Sequence, residues 1–434
     1  MLNEMERKNK LIVTKIRARI IKPDFMKTHR FSDKDFSRKR KLPFIPLVLF
    51  ILNLVRQTLQ KELTQFIQLL SEKKINNITK SAFCQSRMKL KHTAFIELND
   101  VLIEEFYGDN NFNLWKGFRL LGVDGTKLQL PRSKELIRVF GGARNGSKML
   151  VPMAQASTCY DLLNEIIVDS IIEKYEFGEY SLAVQHLAKT KEKDLLIYDR
   201  GYEAIWFLYL HHIKKRDFVI RMARGSIKEV QSFFESEQES KIIEIESLHQ
   251  NSKEQLKKLG LEFKNFKIRL VKIILNNEEI EVLATSCLDE KKYTLEELKW
   301  LYSKRWGIEV SYDHLKNHLL LEDFTGMSEL SIKQDFYANS FIANLHAIIS
   351  KDAQEEINNI KRNSEYKYKI NKNLSLGFMK DKVVNILRSN NPKYYDELKG
   401  LFKLEPVPIR EERSFPRIFR TSKLKFHINK KRSF

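Results

Sequence analysis

The sequence predicts a mixed α/β protein, in which helices precede and follow a central sheet. Three observations support this class. Residues 42 to 107 carry apolar side chains at helical spacing. From about residue 118 the pattern changes to the alternation typical of strands, with helical segments between them. From Thr294 to about residue 400 the helical spacing returns. A chain of 434 residues is long enough for several domains and a sizeable core.

The composition narrows the choice of partner and compartment. Lys and Arg number 77 against 56 Asp and Glu, which gives a formal net charge of +21. Such an excess makes a polyanion such as DNA the first partner to consider. Cys84, Cys159 and Cys287 are few, far apart and without CxxC spacing. They therefore indicate neither a disulfide framework nor a structural zinc site, and a reducing cytoplasm fits.

The most apolar run, "LPFIPLVLFILNLV" at residues 42 to 55, predicts a buried helix with Pro46 in its first turn. A bilayer span needs about 20 apolar residues, and this run is shorter. It also lies too far from Met1 to be the core of a signal peptide. We therefore expect no membrane partner and no secretion.

The segments before the sheet are rich in bases. Residues 1 to 41 are polar and basic and predict an arm. Residues 42 to 107 predict a helical domain, in which Thr79 or Ser81 begins a helix that carries Arg87, Lys89 and Lys91. That helix could enter a DNA groove, or its bases could be solvated on a small bundle. The sequence leaves both alternatives open.

The sheet is predicted in two parts. Residues 108 to 224 give a strand, a hairpin, a helix, a strand, a helix and a strand, which is the first part of the core. Residues 225 to 290 predict a β-rich insertion of antiparallel strands. Residues 291 to 350 complete the core, starting with a helix capped by Thr294 and Glu297 in capping-box spacing. Residues 351 to 434 predict a helical C-terminal region with a basic tail from residue 406.

The segment "YSKRWGIEVSYDHLK", residues 302 to 316, predicts one α-helix with a polar face. At 100° per residue, Tyr302, Arg305, Glu309 and Lys316 fall within roughly 60° of one another. A carboxylate flanked by donors suits a metal ion that meets a phosphate. Considered alone, however, this segment favours a solvated face of ion pairs, each worth about 0.3–0.5 kcal/mol.

Two further acids favour the metal-binding interpretation. Asp124 lies in the apolar strand "LLGVDGTKL", and Asp199 ends the hydrophobic strand "LLIYDRGY". A charge at the end of a buried strand is costly unless it is paired or binds a metal. The simplest alternative for each is a salt bridge, to Lys127 and to Arg200 respectively. Two strand acids and one helix carboxylate together form the ligand set of a metal-dependent phosphoryl-transfer site, and Mg²⁺ prefers such oxygens.

These residues resemble a known family. Tyr302, Arg305, Glu309 and Lys316 match the Y-(2)-R-(3)-E-(6)-K signature of bacterial insertion-sequence transposases of the DDE type. The "VDGTK" and "YDRGY" segments look like the first and second aspartate regions of that family. The order of two aspartates, a β-rich insertion and a glutamate is also similar. The resemblance covers roughly residues 40 to 350.

The resemblance implies a ribonuclease H-like core interrupted by the insertion, with residues 42 to 107 as a DNA-binding domain. It implies that Asp124, Asp199 and Glu309 are catalytic and bind two Mg²⁺ ions, for which Mn²⁺ can substitute. Arg305 and Lys316 would clamp phosphates of the transposon end, and Tyr302 would position a phosphate or sugar. The implied partners are the inverted ends of the element, the target DNA and further copies of the chain in a synaptic complex.

Two other hypotheses remain open at this stage. A non-catalytic DNA-binding protein would share the basic surface but could dispense with the three acids. A simple metal nuclease would cut DNA without joining it. Trp300 and Trp306 could stack on an unpaired base, although packing into the core is the prediction we favour for both.

Overall fold

The computed structural model describes residues 4–38, 41–53, 57–70, 78–144, 149–274, 279–360 and 365–410. The helices are α1 (Glu4–Ile21), α2 (Pro23–His29), α3 (Phe44–Leu52), α4 (Leu59–Leu70), α5 (Lys80–Arg87), α6 (Thr93–Tyr107), α7 (Lys134–Phe140), α8 (Glu179–His186), α9 (Ile205–Ile213), α10 (Lys228–Glu235), α11 (Gln250–Lys258), α12 (Leu295–Ser303), α13 (Trp306–Asp313), α14 (Glu329–Asn359), α15 (Lys372–Arg388) and α16 (Lys393–Phe402). The strands are β1 (Arg119–Gln129), β2 (Gly142–Arg144), β3 (Leu150–Asp161), β4 (Ile166–Lys174), β5 (Asp194–Tyr198), β6 (Asp217–Met222), β7 (Ser240–Ile245), β8 (Phe266–Ile274), β9 (Ile280–Thr285), β10 (Tyr368–Lys369) and β11 (Val407–Pro408).

A mixed sheet forms the centre of the molecule. Its order is β4-β3-β1-β5-β6-β9-β8-β7, and the short β2 pairs with the start of β3. Strands β1, β5 and β6 are parallel, whereas β3 is antiparallel to β1 and β4 is antiparallel to β3. The first five strands of this order have the arrangement of the ribonuclease H fold. The predicted fold class, a ribonuclease H-like mixed sheet with helical parts on either side of it in the chain, is therefore confirmed.

The predicted β-rich insertion contributes three antiparallel strands, β7, β8 and β9. Because β9 pairs with β6, these strands extend the central sheet at its edge. The segment also contains α10 and α11, which are not predicted from the sequence pattern. Helix α10 bears the apolar pair Val230 and Phe233, and both side chains are buried in the core on that side of the sheet.

The apolar run at residues 42 to 55 forms α3, as predicted. Pro43 precedes the helix and Pro46 lies in its first turn, where a proline removes no hydrogen bond within the helix. The buried side chains include Leu47, Val48 and Phe50. Within the described residues, no helix is long and apolar enough to cross a membrane.

The prediction of a basic arm at residues 1 to 41 is wrong for much of that segment. Residues 4 to 29 form α1 and α2, and α1 buries Ile12, Val13, Ile16 and Ile20. This 3-4 spacing places the apolar side chains on one face, which packs against α6. The Arg17 guanidinium also donates to the Ile386 carbonyl and so joins α1 to α15. The basic residues of α1 therefore belong to a helix that packs into the core, and not to an extended arm.

The long helix α14 joins the helices before the sheet to the sheet itself. It packs against α6 and against β4, and its apolar side chains lie in one core together with those of α1, α3 and α15. Asn344 on α14 shows this double contact, since its amide donates to the Asn99 side chain and to the Ile167 carbonyl. The helices before and after the sheet share this core, and the predicted domain boundaries remain predictions. Residues 411 to 434 of the predicted basic tail lie outside the described residues.

The basic helix α5 begins as predicted at Thr79, whose hydroxyl accepts from the Ala82 N–H. The alternatives of a DNA contact and of solvated bases both fail for Arg87, which is 3% exposed. Its guanidinium bonds the Asp335 carboxylate at 2.9 Å and the Gln334 side chain at 2.8 Å, both on α14. Arg87 therefore stabilises the packing of α5 against α14.

Candidate active site

The first two predicted acids lie just beyond the paired parts of the neighbouring parallel strands β1 and β5. Strand β5 pairs with β1 only as far as Gly122, and it ends at Tyr198. Asp124 lies two residues beyond the last pair on β1, and Asp199 directly follows β5. In sheets with parallel strands, ligands bind outside the carboxyl ends of such strands. The fold therefore places both acids at the edge where a ligand site is expected.

Each of these carboxylates accepts one backbone hydrogen bond. Oδ1 of Asp124 accepts from the Gly125 N–H at 2.8 Å, and Oδ1 of Asp199 accepts from the Gly201 N–H at 2.8 Å. Gly125 lies close to the Gln155 side chain, since a Cβ at this position would be 2.8 Å from its Nε2. Burial raises the pKa of Asp124 to about 7, and the negative charge of Asp199 adds to this increase.

The salt bridges considered as alternatives for these acids are absent. Among the described residues, neither Asp124 nor Asp199 has a Lys, Arg or His nitrogen within 4 Å. Lys127 donates instead to the Tyr175 hydroxyl at 3.2 Å. Two neighbouring carboxylates with no paired base, one of them largely buried, repel each other electrostatically. A divalent cation would relieve this repulsion.

The third acid lies on a helix that differs from the prediction. Residues 302 to 316 form the end of α12, a tight turn at Lys304 and Arg305, the helix α13 and then a π-helical turn at His314–His318. In the tight turn the N–H groups of Arg305 and Gly307 bond the carbonyls three residues earlier. Such a turn has about 3.0 residues, so the rotation of 100° per residue fails there. The prediction of one continuous α-helix is therefore wrong.

Packing explains where α13 begins and what it crosses. A Cβ at Gly307 would lie 3.1 Å from the Leu162 side chain, so the backbone approaches that residue closely. A Cβ at Gly122 of β1 would lie 3.5 Å from Ile308, which is fully buried. Helix α13 therefore lies directly over β1, and Glu309 follows the residue that makes this contact.

Glu309 and Arg305 form an ion pair beside the strand acids. Nη1 of Arg305 donates to Oε1 of Glu309 at 2.9 Å. The positive charge of Arg305 also reaches Asp124, where it opposes the increase in pKa. The Nε–H of Arg305 is buried and has no hydrogen-bond partner in the described part of the chain. Arg305 therefore bonds the helix acid and acts electrostatically on Asp124, and its Nε–H has no partner in the described residues.

Tyr302 and Lys316 differ in their contacts. The hydroxyl of Tyr302 is buried and, within the described residues, makes no hydrogen bond. Burial raises the pKa of Tyr302 to about 12, while the charges of Arg305 and Arg221 oppose the increase. Lys316, in contrast, donates to Oγ1 of Thr126 at 2.6 Å and to the Lys127 carbonyl at 3.0 Å. The ammonium group of Lys316 therefore holds the π-helical turn against β1.

The three acids do not form a complete metal-binding site in this structure. Across the described ranges, no group of three or more His, Cys, Asp or Glu side chains is placed to hold a metal ion. Glu309 is bonded to Arg305, so it would have to leave that partner to join a shared ion. The chemistry of the two strand acids nevertheless fits a hard cation such as Mg²⁺, because each presents carboxylate oxygens without a paired base.

Two residues near the acids are not among those predicted from the sequence. Glu179, in the first turn of α8, is close enough to Asp124 to raise its pKa. Arg221 lies on β6, the next parallel strand, and its charge acts on Tyr302. The rule that ligands bind at the carboxyl ends of parallel strands could have identified Arg221. Nothing in the sequence around Glu179 indicates its position.

The expectation that Trp300 and Trp306 pack into the core is wrong. Their side chains are 42% and 49% exposed, on α12 and at the start of α13. Lys304 lies over the ring of Trp300 at 4.7 Å, and Arg305 lies over that of Trp306 at 4.9 Å. The turn that carries Arg305 therefore presents aromatic surface to the solvent next to the acids.

Comparison with known proteins identifies the class. The family model described as "Transposase DDE domain" matches residues 115–345, a range that includes both strand acids and Glu309. The chain is thus a DNA-processing enzyme of the transposase class. It belongs to the DDE transposase family, as the resemblance in the sequence implies.

Individual relatives are distant. The chain is 21% identical over 411 residues to the transposase InsG for insertion sequence element IS4 of Escherichia coli (strain K12), covering 91% of this chain and 89% of that protein. Among solved structures it is similar to a piggyBac transposase in a synaptic complex with hairpin DNA, with a TM-score of 0.47 and 10% sequence identity. That similarity covers 91% of this chain and 86% of the other.

Proposed function

We propose that the chain cleaves DNA at the inverted ends of its insertion sequence and joins the 3′ ends to target DNA. The observation that carries this proposal is the pair of strand acids, Asp124 and Asp199, which have no ion-pair partner in the described residues and lie beside unused buried donors. A non-catalytic DNA-binding protein would have no need of such a costly arrangement.

In this proposal Asp124, Asp199 and Glu309 hold divalent Mg²⁺. When bound, the metal would activate an oxygen nucleophile and stabilise charge on the phosphate and on the leaving oxygen. The protein itself contributes the position of the carboxylates, with Asp124 on β1 beyond its pairing with β5 and Asp199 directly after β5. Glu309 would hold the metal in place of its bond with Arg305, and the guanidinium would then be available for a phosphate.

The donors beside the acids are assigned to the DNA backbone. Nε of Arg305 and the hydroxyl of Tyr302 would donate to phosphate oxygens, and this would satisfy groups that are buried without partners. Lys316 has two acceptors on β1, so we assign it to holding Glu309 and Asp124 together as well as to the positive field at the DNA. The partners are the element ends, target DNA and a second copy of the chain that holds the other end.

A strand-transfer assay tests the proposal. The full chain is incubated with Mg²⁺, a duplex carrying the inverted end that flanks its gene, and a supercoiled target. We expect joined product from the wild-type protein, none from Asp124→Ala, and none from the wild-type protein with EDTA. Asp100→Ala, which alters an acid on α6 paired with Lys189, is the matched control and should retain activity.

The outcomes separate the hypotheses. Nicking without joining would indicate a metal nuclease. End binding without cleavage in either protein would support the non-catalytic alternative and overturn the proposal.

A further inference from the structure

The backbone carbonyl of Asp124 accepts hydrogen bonds from two side-chain hydroxyls. The hydroxyl of Tyr312 on α13 donates to it at 2.7 Å, and the hydroxyl of Ser157 on β3 donates to it at 2.9 Å. Tyr312 is 7% exposed and Ser157 is fully buried. This is therefore a buried polar junction at the strand residue that carries the first acid.

The two hydroxyls approach from opposite faces of the sheet. Ser157 and Cys159 share one face of β3, because side chains alternate along a strand. That face is covered by α8, whose His186 contacts Ser157. Tyr160 belongs to the other face and shares a core with Ile308 and Tyr312 of α13. The carbonyl of Asp124 is therefore held between α8 and α13.

The serine is itself fixed by a buried chain of hydrogen bonds. Nε2 of His186 lies 3.0 Å from Oγ of Ser157, and Nδ1 lies 2.7 Å from the Asp169 carboxylate on β4. The single hydroxyl proton of Ser157 goes to the Asp124 carbonyl. His186 therefore links the Ser157 hydroxyl to the Asp169 carboxylate. Such a chain restricts the rotation of the hydroxyl and with it the position of the carbonyl.

The tyrosine connects this junction to the third acid. Tyr312 lies three residues after Glu309, so both side chains lie on neighbouring positions of α13. Four residues further on, Lys316 bonds Thr126 and the Lys127 carbonyl of the same strand. The segment that carries Glu309 is thus bonded to β1 directly at Asp124 and again just beyond it.

We propose that Tyr312 is a positioning residue, which sets the distance between Glu309 and Asp124 by bonding the Asp124 carbonyl, with Ser157 as its counterpart on the other face. This rests on the proposed function, because it presumes that the two acids share a metal. The hydroxyl of Tyr312 touches neither DNA nor metal in this role. Its removal should weaken metal binding while the fold and the DNA contacts persist.

Tyr312→Phe is the main test, since it removes only the hydroxyl. Mn²⁺ alone is titrated into the full chain, and free Mn²⁺ is measured by electron paramagnetic resonance. We expect about 10-fold weaker Mn²⁺ binding, the lower end of what losing a supporting hydrogen bond at a metal site costs. Cleavage of the end duplex should then require more Mg²⁺, with the rate at saturating Mg²⁺ largely recovered and end binding unchanged.

Tyr209→Phe is the matched control. Tyr209 is also buried, and its hydroxyl donates to the Glu262 carbonyl at 2.7 Å and makes no contact with the three acids. It should bind Mn²⁺ as tightly as the wild-type protein does, even if its thermal stability is lower. Equal losses of Mn²⁺ affinity in both variants would show a general effect of hydroxyl removal and overturn the proposal.

Ser157→Ala tests the same carbonyl from the other face and remains informative if Tyr312→Phe fails to fold. It should also weaken Mn²⁺ binding. In the double variant, the fold-loss of Mn²⁺ affinity should be smaller than the product of the fold-losses in the two single variants, because both hydroxyls share one acceptor. Wild-type affinity in Tyr312→Phe, or in Ser157→Ala if only that variant folds, overturns the proposal. If Asp124→Ala still binds Mn²⁺ and cleaves, the proposed function itself fails. If Asp124→Ala is inactive while the hydroxyl variants behave like the wild type, only the positioning role fails.

Discussion

At the scale of single residues, the proposed function requires Glu309 to give up its bond with Arg305 for a metal ion. Its carboxylate accepts a hydrogen bond from the Arg305 guanidinium. Glu309→Gln keeps the size of the side chain and removes its charge. We expect cleavage to fall below detection while affinity for the end duplex stays close to wild type, because the substitution removes a metal ligand and leaves the phosphate contacts in place. A gel-shift titration beside the cleavage assay measures both quantities.

The comparison variant for Glu309→Gln is Arg305→Ala. It removes a proposed phosphate contact, so it should weaken end binding as well as cleavage. If Glu309→Gln weakens binding as much as Arg305→Ala does, Glu309 contacts DNA or orders the DNA site, and its assignment as a metal ligand is incorrect.

At the scale of secondary-structure elements, Arg87 shows how the helices on either side of the sheet are held together. The ion pair with Asp335 is buried on both sides, with side chains 3% and 9% exposed. Arg87→Ala leaves the Asp335 charge without its partner, which typically costs about 3–5 kcal/mol. We expect a loss of that order in the free energy of unfolding, measured by urea denaturation.

Lys89→Ala is the matched control for this ion pair. Lys89 follows α5 and lies 3.6 Å from Asp35, with 32% of its side chain exposed. A surface change of this kind usually alters stability by at most about 0.5 kcal/mol. Similar losses in both variants would contradict the structural role of Arg87.

Helix α14 also contains a carboxyl group that should make stability depend on pH. Burial raises the pKa of Asp352 to about 6, although the Asn9 amide and the Tyr395 hydroxyl both donate to it. The folded protein then holds this proton more tightly than the unfolded chain, whose value is about 4. The contribution is present in full below about pH 4 and is lost as pH rises through about 6.

Asp352→Asn should remove this dependence, since an amide of the same shape does not titrate. The difference between a pKa of about 6 in the folded protein and about 4 in the unfolded chain corresponds to about 3 kcal/mol of folding stability. We expect the wild-type protein to lose up to this much more stability than the variant between pH 4 and pH 7, measured by urea unfolding at each pH. Parallel stability curves for the two proteins would exclude Asp352 as the source.

The elements themselves show what the sequence could predict. Alternating apolar residues predicted the strands. Asp124 within β1 and Asp199 directly after β5 were identifiable because an unpaired charge in or beside a buried strand is costly. The spacing of Ile12, Val13, Ile16 and Ile20 also contained the signal for α1, but the many bases around it suggested an arm. These elements depend on the local periodicity of apolar residues, which a sequence pattern shows directly.

The turn at Lys304 and Arg305 could not be predicted in this way. It depends on the close approach of Gly307 to Leu162, a residue distant in the chain. The bonds from Lys316 to β1 likewise join residues that only the fold brings together. The candidate residues could therefore be identified from the sequence, whereas the contacts that Arg305 and Lys316 make within the fold required the structure.

At the scale of the whole molecule, the net charge of +21 predicts how DNA binding responds to salt. A protein that neutralises phosphates releases counterions, so the logarithm of the binding constant falls linearly with the logarithm of the salt concentration. We expect affinity for the end duplex to fall by about 10³ or more between 50 and 200 mM salt, as for proteins with six or more phosphate contacts.

Residues 411 to 434 contain eight Lys or Arg and two Glu, and they can be tested separately. Replacing those eight bases with glutamine should make the slope shallower by about 0.9 for each phosphate that the tail neutralises, measured by fluorescence anisotropy over a salt series. An unchanged slope would assign the phosphate contacts to the rest of the chain, and a flat salt dependence in the wild-type protein would contradict its basic surface as the DNA site.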